Sequence, residues 1–237
     1  MCAERGIVLI FDEVFTGFRL APGGAQEYFA VQADLVTYGK TVAGGLPIGV
    51  LCGRTALMTR FRVDRPADIC FARGTFNSHP YVMATMDEFL RRFDSDTVRG
   101  LYHDLDHTWN GRASELNARL QAEDLPVRVA NLSTIWTVSY LLPSRYNWMY
   151  QYYLRAHGLA LSWVGTGRLI FNLAYSAVDY AAVVERFVAA AQEMQRDGWW
   201  WPVPGLSNRG IRRTILREML QARGWWPMGS INSPRSR

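Results

Sequence analysis

The feature that most constrains the fold is a pair of short apolar runs, each followed at once by charged residues or glycine. Ile7 to Phe11 is continuously apolar and ends in Asp12 and Glu13, whereas Leu35 to Tyr38 is rich in β-branched and aromatic residues and is closed by glycine. Continuous apolar runs of this length are typical of parallel strands that are buried on both faces. Because open α/β sheets bind ligands at the carboxyl ends of their strands, the pattern predicts an α/β fold with a site where these runs end.

Lys40 is the only lysine among 26 basic residues, and it comes just after the second run. Its surroundings are apolar and rich in glycine. An ammonium group buried in such a setting loses hydration, so its pKa falls and it becomes a nucleophile that condenses with carbonyl groups. The alternative is that a genome which disfavours lysine codons left this residue on a solvated surface.

The rest of the chain alternates between strand and helix patterns. A third short strand is predicted from Asp68 to Phe71, before the motif RGTFNSHP. Apolar residues at helical spacing predict a helix from Tyr81 to Phe93 and another from about 96 to 122. Beyond residue 125 strands and helices alternate, and the last of them is an amphipathic helix from Ala177 to Asp197. This order predicts a small α/β domain that follows a larger one.

The net charge of +5 is concentrated near the end of the chain. Residues 209–237 hold seven arginines against one acid, Glu218, so the preceding part is nearly neutral. Clustered arginine is typical of surfaces that bind nucleic acid, but this cluster lacks interleaved aromatic residues, and a solvated helix with a frayed end accounts for it more simply. We therefore expect no nucleic-acid partner, and a noncatalytic nucleic-acid-binding module stays as an alternative.

Two further features bear on the compartment. No apolar stretch approaches the roughly 20 residues that a transmembrane helix needs. The three cysteines are widely spaced and signal neither a disulfide framework nor a zinc site. We expect a cytoplasmic protein with no membrane partner.

Three segments, in this order and spacing, resemble those of the class III pyridoxal-phosphate aminotransferases: LIFDEVFTGFR, ADLVTYGKTVAGGLPIGV and GTFNSHP. The first segment and PGGAQEYF are most similar to the glutamate-1-semialdehyde aminomutase subgroup. The resemblance implies pyridoxal-phosphate fold type I, the aspartate-aminotransferase-like α/β fold with a mostly parallel sheet. On this interpretation residues 1–95 are part of the cofactor-binding large domain, 96–205 form a helix and the small α/β domain, and 206–237 form a basic arginine-rich tail.

The resemblance implies a role for five residues. Lys40 matches the lysine that holds pyridoxal phosphate as an internal aldimine and then moves the substrate proton. Asp12 matches the aspartate that binds the pyridine nitrogen and keeps it protonated, so that the ring acts as an electron sink. Val14 matches the valine that packs against the ring. Gly74 and Thr75 match the pair that reaches the phosphate of a neighbouring subunit's cofactor.

Three other positions differ from the family pattern or match it loosely. Arg168 roughly matches an arginine that binds the substrate carboxylate in some relatives, and the alternative is that it only caps a strand. His79 stands where asparagine usually precedes proline. Phe15 stands where many relatives have a glutamine near the phenolic oxygen of the cofactor, which favours the aminomutase-like subgroup.

The resemblance further implies that this chain corresponds to a C-terminal portion that lacks the family's N-terminal half, and with it part of the phosphate site. The expected function is transamination from a small-molecule amino donor to a carbonyl acceptor, with intramolecular aminomutase activity as the alternative. The expected partner is a second copy of the chain in a homodimer or the missing half, and the chain alone is expected to be incomplete for catalysis.

A metal-dependent hydrolase is the alternative from a different class of enzyme. His103 and His107 stand four residues apart on the predicted second helix, with Asp104 and Asp106 between them. Such spacing can bind a metal ion, although the pattern lacks the glutamate of the usual zinc helix and a third ligand nearby. Otherwise these residues form a solvated helix face.

Overall fold

The two apolar runs form neighbouring strands in a computed structural model of the chain, which describes residues 1–70, 74–161 and 167–225. The described residues fall into two compact units. Unit 1 comprises residues 1–109, 132–134 and 172–174, and unit 2 comprises 110–131, 135–171 and 175–237, so far as these are described. The strands are β1 Ile10–Asp12, β2 Leu35–Gly39, β3 Gly49–Gly53, β4 Val127–Leu132, β5 Ile135–Tyr140 and β6 Arg168–Ile170.

The α-helices are α1 Gly24–Tyr28, α2 Thr55–Met58, α3 Pro80–Phe93, α4 Asp96–Gly100, α5 Leu105–Ala122, α6 Tyr150–Ala156, α7 Ala177–Arg196 and α8 Asn208–Ala222. Short 3-10 turns cover Ala3–Arg5, Lys40–Ala43 and Asn147–Met149. None of the helices in the described ranges is long and apolar enough to cross a membrane.

Unit 1 contains a three-stranded sheet in the order β1-β2-β3. β1 and β2 pair in parallel, with Asp12 opposite Thr37, and the connection between them includes α1. The chain then returns through β3, which the sequence did not predict, and β3 pairs with β2 in the antiparallel direction. The parallel pair therefore brings the ends of the two predicted strands to one edge of the sheet.

The first strand is shorter and more exposed than predicted. It begins at Ile10 rather than Ile7, because β2 starts at Leu35 opposite Ile10, and the amide of Leu9 donates instead to the Asp34 carboxylate at 2.8 Å. Ile10 is 57% exposed. The prediction of burial on both faces is therefore wrong for the described residues, since β1 contacts chiefly β2.

Two other predicted elements differ from the structure. In place of the strand from Asp68 to Phe71, Ile69 forms a single bridge with Phe61, and Phe71 lies outside the described residues. The predicted helix 96–122 is divided into α4 and α5, because Asp104 takes a left-handed conformation with φ 52° just before α5.

Unit 2 has its own sheet, in the order β4-β5-β6, and its own helical core. The predicted amphipathic helix forms as α7, which begins with a reciprocal capping box between Ser176 and Asp179. α6 packs on α7, and the Tyr150 hydroxyl donates a hydrogen bond of 2.6 Å to the carbonyl of Phe187. Both side chains are fully buried, so α6 and α7 share one part of the core of unit 2.

The arginine-rich segment forms α8, which has no buried residue. Arg145 contacts Glu218 through two hydrogen bonds of 3.0 and 2.8 Å. The segment therefore forms a solvated helix as far as Ala222, and residues 226–237 lie outside the described part of the chain.

Candidate active site

Asp12 ends β1 with its carboxylate held in one orientation. One oxygen, Oδ1, accepts a hydrogen bond of 3.0 Å from the amide of Val14 and one of 3.2 Å from the hydroxyl of Thr37. Thr37 reaches it because the parallel register places the two residues opposite each other. No hydrogen bond to Oδ2 occurs among the described residues, so this oxygen is available to a ligand.

Lys40 follows β2 directly and takes a left-handed backbone conformation, with φ 48°. This conformation costs a non-glycine residue roughly 1–2 kcal/mol, and such strain in proteins is concentrated at functional sites. The side chain is exposed, and its Nζ donates one long hydrogen bond of 3.5 Å to the carbonyl of Val14. The predicted burial of Lys40 is therefore not found among the described residues.

Val14 connects the two predicted catalytic residues through its backbone. Its amide donates to Asp12 and its carbonyl accepts from Lys40. Its side chain lies beside Gly39, where an added Cβ would come within 3.3 Å of a Val14 methyl and 3.1 Å of the carbonyl of Ile48. Glycine before Lys40 is thus explained by the close approach of the neighbouring backbone and side chain.

Glu13, which the sequence pattern did not single out as functional, supports this site. Its carboxylate is 1% exposed and accepts hydrogen bonds from the Thr16 hydroxyl at 2.6 Å, the Ala25 amide at 2.9 Å and the Gln26 amide at 3.0 Å. It therefore joins the turn after β1 to the start of α1. Side-chain alternation could have indicated this role from the sequence. Adjacent side chains at a strand end point to opposite faces, so if Asp12 points to the ligand, Glu13 points into the fold.

Arg19 and Phe15 lie on the same turn. The Cζ atom of Arg19 is 5.7 Å from the centroid of the Phe15 ring, and Lys40 Nζ is 5.8 Å from that centroid. Arg19 is half-buried, and its Nε is buried without a hydrogen-bond partner in the described structure. Loss of hydration holds the pKa of the Arg19 guanidinium below its ordinary value.

The structure does not bring Gly74 and Thr75 into contact with the Asp12–Lys40 pair. They begin an exposed turn, in which the amide of Asn77 donates to the carbonyl of Gly74 at 3.1 Å. The turn leads into α3, which packs against the 3-10 turn of Lys40. His79 is the N-cap residue of α3 and makes no side-chain capping bond.

Arg168 belongs to unit 2, where it is the first residue of β6. It is exposed and lines a cavity of about 610 Å³, whose lining also includes Arg186, Asp179 and Tyr175. The predicted position at the head of a strand is found, and its contact with a substrate stays a prediction.

The ligand-like face proposed for a metal ion does not form. α5 begins at Leu105, so His103 lies in the preceding turn, where its Nδ1 is 2.9 Å from an exposed Asp104 carboxylate. Across residues 1–70, 74–161 and 167–225, no three potential metal ligands are grouped.

The family model of class III aminotransferases matches residues 1–191. The chain belongs to this family. A glutamate-1-semialdehyde 2,1-aminomutase of Methanothermobacter thermautotrophicus is 42% identical over 133 residues, which are 56% of this chain and 30% of that protein. One from Nitratidesulfovibrio vulgaris is 40% identical over 142 residues, with 58% and 31% covered.

Solved transaminases share the fold of this class III chain. An omega-transaminase from Sphaerobacter thermophilus has a TM-score of 0.69 at 22% identity, with 82% of this chain and 46% of that chain covered. A β-phenylalanine aminotransferase from Variovorax paradoxus has a TM-score of 0.67 at 22% identity, with 85% and 47% covered. The predicted fold, type I of the pyridoxal-phosphate enzymes, is confirmed, and the chain spans about half the length of these solved relatives.

The side chains of the site fit pyridoxal phosphate, the cofactor of the family. An exposed primary amine on Lys40 suits an aldehyde, and the available oxygen of Asp12 suits a protonated ring nitrogen. Both groups stand at the carboxyl edge of the β1-β2 pair, where α/β sheets bind ligands.

Proposed function

We propose that this chain provides the catalytic lysine and aspartate of a pyridoxal-phosphate-dependent aminotransferase, which moves an amino group from a small-molecule donor to a carbonyl acceptor. One observation carries the proposal. Asp12 and Lys40 end neighbouring parallel strands, and the backbone of Val14 contacts both side chains. This arrangement combines a primary amine with an oriented carboxylate at one edge of the sheet.

Asp12, Val14 and Lys40 would hold the cofactor in unit 1, and Gly74 with Thr75 would contact the phosphate of a neighbouring subunit's cofactor. When bound, pyridoxal phosphate supplies an electrophilic carbon and a ring that withdraws electrons. Asp12 would keep a proton on the ring nitrogen, because its second oxygen is fixed in orientation by the bonds to the first. Lys40 would take a proton from the amine-bearing carbon of the donor and, in the second half of the reaction, give a proton to the former carbonyl carbon of the acceptor.

Intramolecular aminomutase activity is the second candidate. A protein named glutamate-1-semialdehyde 2,1-aminomutase is 42% identical over 133 residues, and this similarity favours the second candidate. Phe15, which stands where many relatives have glutamine, supports the same subgroup. The two activities use the same lysine and aspartate, so the site geometry agrees with either.

The proposed partner is a second copy of this chain or a polypeptide equivalent to the remaining length of its relatives. The match covers 30% of the first aminomutase, and the aligned part is 46% of the omega-transaminase chain. The proposed compartment is the cytoplasm. Free thiols at Cys2, Cys52 and Cys70 agree with a reducing environment.

The test compares Asp12→Asn with the unaltered chain, each combined with a polypeptide equivalent to the remaining length of its relatives, after incubation with pyridoxal phosphate and a panel of amino donors. Cofactor should remain attached to Lys40 in the variant, while release of the keto product should fall at least about a hundred-fold, because the amide cannot keep the ring nitrogen protonated. Asp64→Asn is the control, since this carboxylate is exposed and its side-chain partner among the described residues is the nearby Arg62. Equal product release by the Asp12 variant and the control would refute the proposed role of Asp12.

A further inference from the structure

Arg19 in unit 1 is a half-buried cation with no hydrogen-bonding partner for its side chain among the described residues. Its guanidinium is half-buried and makes no ion pair with any described residue, and its Nε is both buried and without a hydrogen-bond acceptor. Taking a cation out of water without an anion is costly unless another group compensates. The ring of Phe15, 5.7 Å away, provides only a cation–π contact.

The acidic residues on the neighbouring turn are engaged elsewhere. Glu13 accepts three hydrogen bonds, one from a hydroxyl and two from backbone amides. Glu27 accepts from the amide of Gly23. The Tyr102 hydroxyl donates a hydrogen bond of 2.8 Å to the carbonyl of Phe18, and burial raises its pKa to about 12, so it supplies no negative charge to Arg19. The N–H donors of the Arg19 guanidinium are therefore not used by the described residues, and they are available to an anion.

The position of Arg19 relative to Lys40 indicates which anion. Lys40 Nζ is 5.8 Å from the same Phe15 centroid, so one aromatic ring contacts both cations. Because both distances are measured to one centroid, Arg19 Cζ and Lys40 Nζ lie within about 11.5 Å of each other, a span that an amino group and a carboxylate a few bonds apart can bridge. A planar guanidinium binds a planar carboxylate through two parallel N–H donors.

We propose that Arg19 binds the carboxylate of the amino donor or carbonyl acceptor that reacts at Lys40, so that the enzyme selects carboxylate-bearing substrates over simple amines. The proposal rests on the function proposed above. It assigns substrate selection to the turn after β1 in unit 1, rather than to Arg168 in unit 2.

The test uses a matched pair of probes, 4-aminobutanoate and butylamine, which differ only in the carboxylate. The full chain, with and without pyridoxal phosphate, is treated with the arginine reagent phenylglyoxal and mapped by mass spectrometry. Modification of Arg19 should fall several-fold with 4-aminobutanoate and should not change with butylamine or inorganic phosphate. Arg62, exposed and paired with Asp64, is the internal control and should react equally in every sample.

A second measurement uses variants of the cofactor-loaded chain. Arg19→Gln should weaken binding of 4-aminobutanoate about ten- to a hundred-fold and leave butylamine unchanged, because a charge-assisted pair is lost. Arg19→Lys should recover part of this loss, since it keeps the charge without the planar donors.

Three outcomes would overturn the proposal: equal protection by the two probes, protection by phosphate or by pyridoxal phosphate alone, and no protection in either form of the chain. Cofactor attachment to Lys40 is scored separately in the same maps. Failure of attachment would count against the proposed function, whereas attachment with an unprotected Arg19 would count against this inference alone.

Discussion

Replacing Glu13 with glutamine tests the network that supports the turn after β1. The Oε2 atom accepts from the Thr16 hydroxyl and the Ala25 amide, and Oε1 accepts from the Gln26 amide. In its best orientation the glutamine oxygen replaces Oε2, and its NH₂ group then faces the Gln26 amide. One hydrogen bond to a charged group is lost, so the free energy of unfolding should fall by about 1.5–3 kcal/mol.

Urea denaturation followed by circular dichroism measures this loss, and hydrogen exchange locates it. The Gln26 amide should exchange about ten- to a hundred-fold faster, since each 1.4 kcal/mol is a factor of ten, while the Ala25 amide stays protected. Glu4→Gln is the matched control. Glu4 is exposed, and its ion-pair partner among the described residues is the terminal ammonium at 3.4 Å, so this substitution should change stability by less than about 0.5 kcal/mol. If Glu13→Gln is as stable to urea as Glu4→Gln and the Gln26 amide exchanges no faster, the proposed supporting role of Glu13 is refuted.

Two further predictions concern β2 and its ends. Lys40→Gly should be more stable to urea than Lys40→Ala by about 1 kcal/mol, the reverse of the usual order, because φ is 48° there and only glycine is unstrained. The Leu9 amide and the Arg54 guanidinium hold the pKa of Asp34 below its ordinary value of 3.8. Its ionised form therefore stabilises the fold above the unfolded pKa, and this contribution is lost as pH falls through the lower folded pKa. Asp34→Asn should thus lower the urea midpoint at about pH 7, and the difference should shrink at about pH 3; equal differences at both pH values would contradict this assignment.

Much of the fold follows from local patterns. The helical spacing from Tyr81 to Phe93 gave α3 within one residue, and the amphipathic pattern gave α7. The two carboxyl-terminal strand ends also placed Asp12 and Lys40 at one edge, since parallel pairing aligns them. These predictions succeeded because each depended on residues close together in the sequence.

Other features depended on contacts distant in sequence or on backbone geometry. β3 has glycine at both ends and lies in a stretch that reads as a loop, and it forms because β2 offers it a free edge. The break before α5 arises from the left-handed Asp104, which helical periodicity does not reveal. The exposure of Lys40 depends on which distant residues cover the sheet edge, and the residues next to Lys40 in the sequence do not predict them.

Borohydride trapping tests whether Lys40 attaches pyridoxal phosphate. The chain is incubated with pyridoxal phosphate, reduced, digested and mapped by mass spectrometry beside Lys40→Ala. Because Lys40 is the only lysine, the other amine available is the N-terminus. We expect a pyridoxyl adduct on Lys40 that is absent from the Lys40→Ala variant. An unmodified Lys40, or an adduct on the terminal amine alone, would contradict it.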